Sequence, residues 1–404
     1  MIIRARVVVT MDGPPIENGA VTISGNRIED VGTFPEISAR YSGQEIVDLG
    51  EQALLPGLIN AHCHLDYTCL RGKISRQESF TDWIRAINAE KAKLSPEDYV
   101  ASINQGFAEA KRFGTTSVAN LTAFPELISR VELPIRTWWF AELIDIRDPN
   151  RANEIVEAAV KDLKATEHWG LAPHAPFTAS ANLYRRCEKI AQREDVLLTT
   201  HLAESREEMS MFRDASGPLY EFLKEIGREM SDCGRNTPVE QFVARVGEAS
   251  LPDWLLVHLN ELSGSDFDLM TRSAKKFSIV HCPRSHDYFG HSPFQFHKLR
   301  DLGCNVCLGT DSLASNDELS LFAEMRAFQK NFPDVSPEEI LRMVTVNGSR
   351  AIRHEKSLGQ IRAGSSADLI SVPVASSISA LEEIVAFDRE VSWSMIGGRV
   401  QNSA

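Results

Sequence analysis

Two histidines separated by one residue, His62 and His64, are the first side chains whose type and spacing could do chemistry. They follow an apolar run, Leu54–Asn60, that we interpret as a buried strand. Alternate residues of a strand share a face, so the two imidazoles would lie about 6–7 Å apart and could chelate one metal ion. An isolated His-x-His pair is more often two unrelated histidines. The interpretation therefore depends on the rest of the chain.

Later apolar runs end in residues of the same kind. One run ends at His201, with Glu204 three residues beyond it, another ends at His258, and a last one leads into Asp311. Three histidines and an aspartate form a nitrogen-rich set that suits Zn²⁺ or Fe²⁺ and does not suit Ca²⁺ or Mg²⁺. A catalytic ion also keeps one position open for water. The sequence thus predicts a metal site built from several strand ends.

The elements that must position these residues are strands that alternate with helical stretches. The predicted strands are Leu54–Asn60, Thr116–Leu121, Ile135–Phe140, Gly170–Pro173, Leu197–His201, Leu255–Leu259, Phe277–His281 and Asn305–Thr310. Eight such units predict an α/β fold of the (β/α)8 TIM-barrel type, whose chemistry sits at the carboxyl ends of the strands. The long helical segment between His201 and His258 is expected to cover the mouth of the barrel.

Short strand-like runs with turn residues occupy both ends of the chain. Gly25-Asn26, for example, separates two of these runs and indicates a hairpin. We therefore predict a small β-sandwich domain built from residues 1–53 and 358–404. The metal-dependent catalytic barrel would then span residues 54–357.

Composition narrows the class of protein. A net charge of −13 over 404 residues argues against nucleic acid or an anionic membrane as the main partner, because phosphates attract lysine and arginine. Seven cysteines without the spacing of a disulfide module suit a reducing compartment. The chain shows neither a signal peptide at its start nor 18 consecutive apolar residues. We expect a cytoplasmic protein that acts on a small molecule.

An ordered series of motifs resembles the amidohydrolase superfamily. The resemblance is to the branch that holds methylthioadenosine/S-adenosylhomocysteine deaminases, aminofutalosine deaminases, guanine deaminases and triazine chlorohydrolases. Nearly the whole chain takes part, through LLPGLINAHCHL at 54–65, LRG at 70–72, APHAPFT at 172–178, THLAES at 200–205, VHCPRS at 280–285, GTDSLASN at 309–316 and GQIRAGSSADLISV at 359–372.

The resemblance implies a ligand set. Binuclear members of the superfamily carry a carboxylated lysine at the end of the fourth strand, where this chain has Leu171-Ala-Pro-His174. The implied site is therefore mononuclear, with one Zn²⁺, or alternatively Fe²⁺, per chain. Its ligands would be His62, His64, His201 and Asp311.

The resemblance also implies how protons move. Asp311 would take a proton from the attacking water, which His258 would help to hold and polarise. Glu204 would protonate a ring nitrogen of the substrate and then carry a proton to the departing amine. Glu204 could instead be an ordinary acid in the first turn of a helix, where the dipole favours it.

The candidate substrate-binding residues are His174, His281, His286, Arg136 and Glu90. His174 could instead cap a turn, and His281 could contact the substrate or only brace its loop. His286 follows Ser285 where family members more commonly have Asn, which brings an imidazole towards the mouth. Arg136 and Glu90 fall near positions where relatives bind ribose or a side-chain carboxylate.

The leading hypothesis is a hydrolytic deaminase of an aromatic amine. The expected substrate is an adenine-type nucleoside of the methylthioadenosine, S-adenosylhomocysteine or aminofutalosine class. Alternatives on the same scaffold are displacement of chloride or another leaving group, opening of a cyclic amide, or deamination of guanine or a pterin. A further alternative is a catalytically silent metal-binding protein with a structural or regulatory role. Relatives often assemble, so a homo-oligomer is possible.

Overall fold

The computed structural model of the protein describes residues 1–247, 254–272 and 277–401. The last residues of the predicted β domain, 402–404, lie outside this range. The strands are β1 Ile2–Val8, β2 Ile16–Ser24, β3 Arg27–Thr33, β4 Ile46–Asp48, β5 Gln52–Pro56, β6 Leu58–Cys63, β7 Thr115–Thr122, β8 Arg136–Leu143, β9 His168–Pro173, β10 Leu197–Leu202, β11 Trp254–His258, β12 Ser278–His281, β13 Asn305–Leu308, β14 Leu369–Pro373, β15 Trp393–Ile396 and β16 Arg399–Gln401.

Strands β6 to β13 form a parallel barrel in which each strand pairs with its neighbour in the chain. The two end strands meet where the Thr310 and Asp311 amides donate to the carbonyl of His62, at 3.0 and 3.2 Å. A Cβ on Gly309 would lie 2.7 Å from that carbonyl oxygen, so only glycine permits this approach. The predicted (β/α)8 barrel is confirmed.

The predicted first strand, Leu54–Asn60, is wrong in its bounds, because the chain there forms two strands. β5 pairs with β1 and β14 in the terminal sheet, whereas β6 opens the barrel. The break falls at Gly57, where a Cβ would lie 2.2 Å from Thr116 Oγ1. One continuous apolar run therefore contributes strands to two sheets. Strand β5 also crosses the predicted domain boundary at residue 53.

Both ends of the chain contribute to the second, mixed sheet. Its order is β16-β15-β14-β5-β1-β2-β3, with β4 paired to β1. The predicted Gly25-Asn26 hairpin joins β2 and β3. This sheet confirms the predicted small β domain, while the domain limits 1–53, 54–357 and 358–404 stay predictions.

Helices occupy the connections, and capping residues mark where they begin. The helices are α1 Phe34–Arg40, α2 Phe80–Lys91, α3 Pro96–Arg112, α4 Ala152–Leu163, α5 Ala181–Glu194, α6 Arg206–Asp214, α7 Pro218–Glu225, α8 Pro238–Val246, α9 Gly264–Arg272, α10 Pro283–Phe289, α11 Phe296–Asp301, α12 Leu321–Asn331, α13 Pro337–Met343, α14 Val346–Ala351 and α15 Ala380–Ala386. At α3, Ser95 and Asp98 form a reciprocal capping box. The same helix buries Ile103 and Phe107 in the main core.

Helices α6 to α8 fill the segment between His201 and His258, as predicted. Leu219 and Phe222 of α7 line one cavity together with Ile84 of α2 and Ile144 beyond β8. In the part of the chain that the structure describes, none of the helices is long and apolar enough to cross a membrane.

Candidate metal centre and active site

Four buried side chains converge at the carboxyl end of the barrel. Nε2 of His64 lies 3.2 Å from Nε2 of His201. Oδ1 of Asp311 lies 3.6 Å from Nε2 of His62 and 3.8 Å from Nε2 of His64. The rings of His62 and His64 are 4.8 Å apart, closer than a regular strand would place them, because β6 ends at Cys63. The four predicted ligands thus lie together.

The chemistry of this cluster fits a metal ion. Both ring nitrogens of His62 are buried and have no hydrogen-bond partner among the described residues. Burial lowers the pKa of His201 to about 3 and holds the pKa of His64 well below its ordinary value. Neutral imidazoles present lone pairs, and three of them beside a carboxylate form the donor set that Zn²⁺ or Fe²⁺ prefers.

The backbone is strained where it delivers these side chains. Ala203, His258, Leu259 and Asp311 all have positive φ, between 50° and 77°. Non-glycine residues rarely adopt this conformation, and it occurs mainly where function demands it. Each of these residues lies at or just beyond the end of a barrel strand, so the strain coincides with the cluster.

Glu204 and His258 form a second pair beside the ligands. Oε1 of Glu204 lies 3.7 Å from Nε2 of His258, and that nitrogen has no hydrogen-bond partner in the described chain. Burial, and then the nearby charge of Asp311, raises the pKa of Glu204 well above its ordinary value. Glu208 accepts from the Glu204 amide at 2.8 Å, and Asn260 donates to the Glu204 carbonyl at 3.0 Å. The backbone of Glu204 is therefore held by Glu208 and Asn260, while the side chains of Glu204 and His258 border a cavity.

The Asp311 carboxylate is oriented by two hydroxyls that the sequence analysis did not assign. Ser285 donates to Oδ2 at 2.7 Å and Ser315 donates to it at 3.3 Å. Because Oδ2 is engaged, Oδ1 is the oxygen that faces the histidines. Both serines lie within motifs of the resemblance, Ser285 in VHCPRS and Ser315 in GTDSLASN, but neither motif indicated this role.

His174 is the predicted substrate-binding residue that reaches the cavity. Its carbonyl accepts from Nδ1 of His201 at 2.9 Å, and its own Nδ1 lies 2.6 Å from Thr178 Oγ1. His281 and His286 lie behind the cavity wall. His281 stacks on Phe294 with ring centroids 3.9 Å apart, and Nδ1 of His286 lies 3.1 Å from Asn260 Oδ1.

The structure does not bring Arg136 and Glu90 to the site. Arg136 is the first residue of β8, at the opposite end of the barrel, and its guanidinium lies 3.2 Å from the Asp368 carboxylate. Glu90, on α2, pairs at 2.6 Å with Lys93, which follows the end of that helix. The neighbouring Lys91 is the residue of this stretch that lines the cavity.

Glu142 lies in the site and was missed by the sequence analysis. It follows Phe140, where the predicted third strand stopped, but β8 continues to Leu143. Its Oε1 lies 3.9 Å from Nδ1 of His64 and 3.9 Å from Nε2 of His174. Strand alternation from Trp138 and Phe140 would have placed it on the inner face.

Two adjoining cavities lead away from the cluster. The inner one, of about 150 Å³, is bounded by three of the candidate metal ligands, His64, His201 and Asp311, and by Glu204 and His258. The outer one, of about 370 Å³, is mainly apolar. Five residues line both cavities, namely Ile84, Asn88, Ile144, Phe177 and Thr178. A ligand could therefore extend from the cluster into an apolar compartment.

Comparison with known proteins identifies relatives along the whole chain. Residues 53–400 match the amidohydrolase family. The 5-methylthioadenosine/S-adenosylhomocysteine deaminase of Moorella thermoacetica is 29% identical over 389 residues, covering 92% of this chain and 85% of the relative.

Solved structures share the fold. Helicobacter pylori aminofutalosine deaminase in complex with methylthio-coformycin has a TM-score of 0.87 at 23% identity, covering 99% of this chain and 100% of that one. An adenosine deaminase from Xanthomonas campestris with bound zinc has a TM-score of 0.80 at 24% identity, covering 99% and 92%.

Proposed function

The chain belongs to the amidohydrolase family, and we propose that it is a metal-dependent deaminase that releases ammonia from an adenine-type nucleoside. The observation that carries this proposal is the convergence of two sets of side chains at one cavity. One set offers three imidazole lone pairs and a carboxylate, and the other is the Glu204–His258 pair, placed to handle protons.

We assign the metal to His62, His64, His201 and Asp311, as one ion per chain. When bound, zinc would supply a Lewis acid that makes water nucleophilic near neutral pH. Zinc is favoured over iron because a solved relative with the same fold contains zinc.

Glu204 is the proposed proton carrier. Burial raises the pKa of Glu204, which favours the protonated carboxyl group that this role requires. It donates this proton to a ring nitrogen of the substrate as water attacks the neighbouring carbon. It then receives the proton that Asp311 took from the water and delivers it to the departing amine, so that the leaving group is ammonia. As the carbonyl of the product forms, the remaining hydroxyl proton returns to Glu204, which restores the starting state.

We assign the positioning and deprotonation of the attacking water to His258 and Asp311. Nε2 of His258 is buried and free of a protein partner among the described residues, so it can form a hydrogen bond to the attacking water. The Asp311 carboxylate takes a proton from that water while Ser285 and Ser315 hold its orientation.

The substrate class follows from the adjoining cavities. An adenine ring bound beside Glu204 would direct the group attached to its sugar towards the outer, apolar cavity, where Ile144 and Phe222 lie. The curated relative is named for substrates of this kind, 5-methylthioadenosine and S-adenosylhomocysteine. We further propose that His174 contacts the substrate.

We also propose a cytoplasmic location. None of the seven described cysteines forms a disulfide in the part of the chain that the structure describes, which suits a reducing compartment. A heterocyclic small molecule is the expected partner.

The proposal is tested by identifying the leaving group. Zinc-loaded protein is incubated with adenine nucleosides that differ in the 5′ substituent, and with guanine, a pterin and a chlorotriazine. Ammonia and chloride are measured, and the product masses are determined. We expect ammonia from a 5′-substituted adenosine and a product in which oxygen replaces the amino group. Chloride release without any ammonia would overturn the proposal.

A further inference from the structure

The carboxylate of Glu142 lies inside the site, yet no hydrogen bond reaches it from the residues that the structure describes. Its side chain is only 6% exposed and borders the inner cavity. Burying an acid without a partner is costly. A donor within reach of this carboxylate would therefore stabilise it.

The strand fixes where this carboxylate points. Glu142 lies opposite Ala172 in the β8–β9 ladder. It shares its face of β8 with Trp138 and Phe140, which pack with Ala172 in one core cluster. Near the carboxyl end of β8 the apolar packing on this inner face ends and the candidate metal ligands begin. The Glu142 carboxylate therefore points towards those ligands.

Two ring nitrogens lie equally close to Oε1 of Glu142, Nδ1 of His64 and Nε2 of His174, each at 3.9 Å, and the first belongs to one of those ligands. Nε2 of His64 faces the cluster, 3.2 Å from Nε2 of His201. A neutral imidazole that gives its Nε2 lone pair to a metal must carry its proton on Nδ1. Within the described chain, Glu142 is the one carboxylate within 4.0 Å of that Nδ1 atom, at 3.9 Å.

The neighbouring candidate ligand, His201, already has a hydrogen-bond acceptor for its second ring nitrogen. Nδ1 of His201 lies 2.9 Å from the carbonyl oxygen of His174, which fixes both its tautomer and its orientation. Metal-binding histidines almost always use their second nitrogen in this way. Among the described residues no carbonyl makes an equivalent contact with Nδ1 of His64, and Glu142 is the acceptor placed near it.

We propose that Glu142 is a positioning residue that accepts a hydrogen bond from Nδ1 of the metal-bound His64. The terminal torsion of a glutamate is broad, so a rotation of the carboxylate closes the present 3.9 Å separation. The resulting carboxylate–histidine–metal arrangement would raise metal affinity. This role goes beyond the proposed deaminase activity because it concerns the ion and not the substrate.

The test measures metal binding without substrate. Wild-type protein, Glu142→Ala, Glu142→Gln and the surface control Glu338→Gln are stripped of metal, and Zn²⁺ affinity is measured by competition with a chromophoric chelator. We expect Glu142→Ala to bind zinc about 10–100-fold more weakly. Glu142→Gln keeps an acceptor oxygen and should lose less, while Glu338→Gln should match the wild type. The visible spectrum of bound Co²⁺ should change in Glu142→Ala.

Two results would overturn the inference. One is an unchanged zinc affinity and Co²⁺ spectrum in Glu142→Ala. The other is unchanged affinity together with a raised KM, which would make Glu142 a substrate-binding residue. Thermal unfolding of the metal-free proteins shows whether each variant folds. If Glu142→Ala does not fold, the zinc affinities of Glu142→Gln and Glu142→Asp are compared with that of the wild type instead.

Discussion

Nε2 of His64 and Nε2 of His201 lie 3.2 Å apart, although 137 positions separate the two residues in the chain. Burial keeps both imidazoles neutral, so this distance can bring two lone pairs face to face. Such an arrangement is unfavourable unless a proton or a cation lies between the nitrogens. The barrel thus holds its histidines in a geometry that a divalent ion would stabilise.

Replacing Glu204 with glutamine should separate metal binding from turnover. The amide has nearly the same shape but cannot carry a proton between the ring nitrogen and the amine. Because proton transfer by a positioned residue contributes about 10²–10⁴-fold, kcat should fall by that order. Ammonia release gives kcat, and elemental analysis gives the zinc content.

In this experiment the zinc content of Glu204→Gln should remain that of the wild type. Glu338→Gln, an exposed acid on α13, serves as the control and should keep full activity. Near-normal turnover in Glu204→Gln would remove Glu204 from the mechanism.

Replacing Ile144 tests whether the outer cavity binds the 5′ substituent of the substrate. Ile144 lines both cavities and is 45% exposed, so an aspartate there should be tolerated by the fold. Ile144→Asp should raise KM for a 5′-alkylthio adenosine about tenfold, since one apolar contact is worth roughly 1–3 kcal/mol. Its kcat should change little.

The matched control is Ile378→Asp, because Ile378 is 94% exposed and lines neither cavity. It should leave KM unchanged. An equal rise in KM for adenosine and for the alkylthio substrate in Ile144→Asp would count against the assignment of this cavity.

Arg136 should prove to be a stabilising residue. Its partner Asp368 is 3% exposed and also accepts from the Gly397 amide at 2.6 Å. Arg136→Met leaves a buried carboxylate short of a donor, at a cost of about 1–3 kcal/mol. We expect a lower midpoint of thermal unfolding with unchanged KM.

Arg130→Met provides the comparison for this prediction. Arg130 pairs with Glu97 on the surface, where both side chains are exposed and such pairs contribute about 0–1 kcal/mol. Its unfolding midpoint should move less than that of Arg136→Met. A raised KM in Arg136→Met would instead indicate that Arg136 contributes to substrate binding.

Glu324 should make stability depend on pH. Burial raises the pKa of Glu324 to about 8, against an ordinary value of 4.5, even though the Arg284 amide and Asn316 donate to it. Between these values the folded state keeps a proton that the unfolded state has released. The free energy of unfolding therefore falls as pH rises through this window, by at most about 1.4 kcal/mol per unit.

Glu324→Gln removes that titration. Denaturant unfolding of wild type and variant between about pH 5 and about pH 8 should show the wild type losing stability relative to Glu324→Gln as pH rises. A constant difference between the two proteins across this range would contradict the prediction.

The barrel and most of the site could be predicted because strand ends carry local signals. An apolar run followed by His or Asp marks where a strand delivers a side chain. The structure places His201, His258 and Asp311 at or just beyond the ends of β10, β11 and β13, as this pattern predicts. Glu142 was missed because the predicted third strand ended at Phe140, three residues before the end of β8.

Other features had no local signal. The pairing of Arg136 with Asp368 joins residues 232 positions apart. The break at Gly57 depends on Thr116 in a neighbouring strand, so an apolar run that serves two sheets reads as one strand. Both depend on contacts that form only once the barrel and the terminal sheet pack together.

The central claim is tested most directly by titrating metal-free protein with Zn²⁺ while following ammonia release from a 5′-substituted adenosine. A mononuclear deaminase should show activity that rises in proportion to zinc and reaches its plateau at one equivalent per chain. A plateau at two equivalents would contradict the single-ion site. Saturation with zinc and no ammonia from any adenine nucleoside would contradict the proposed reaction.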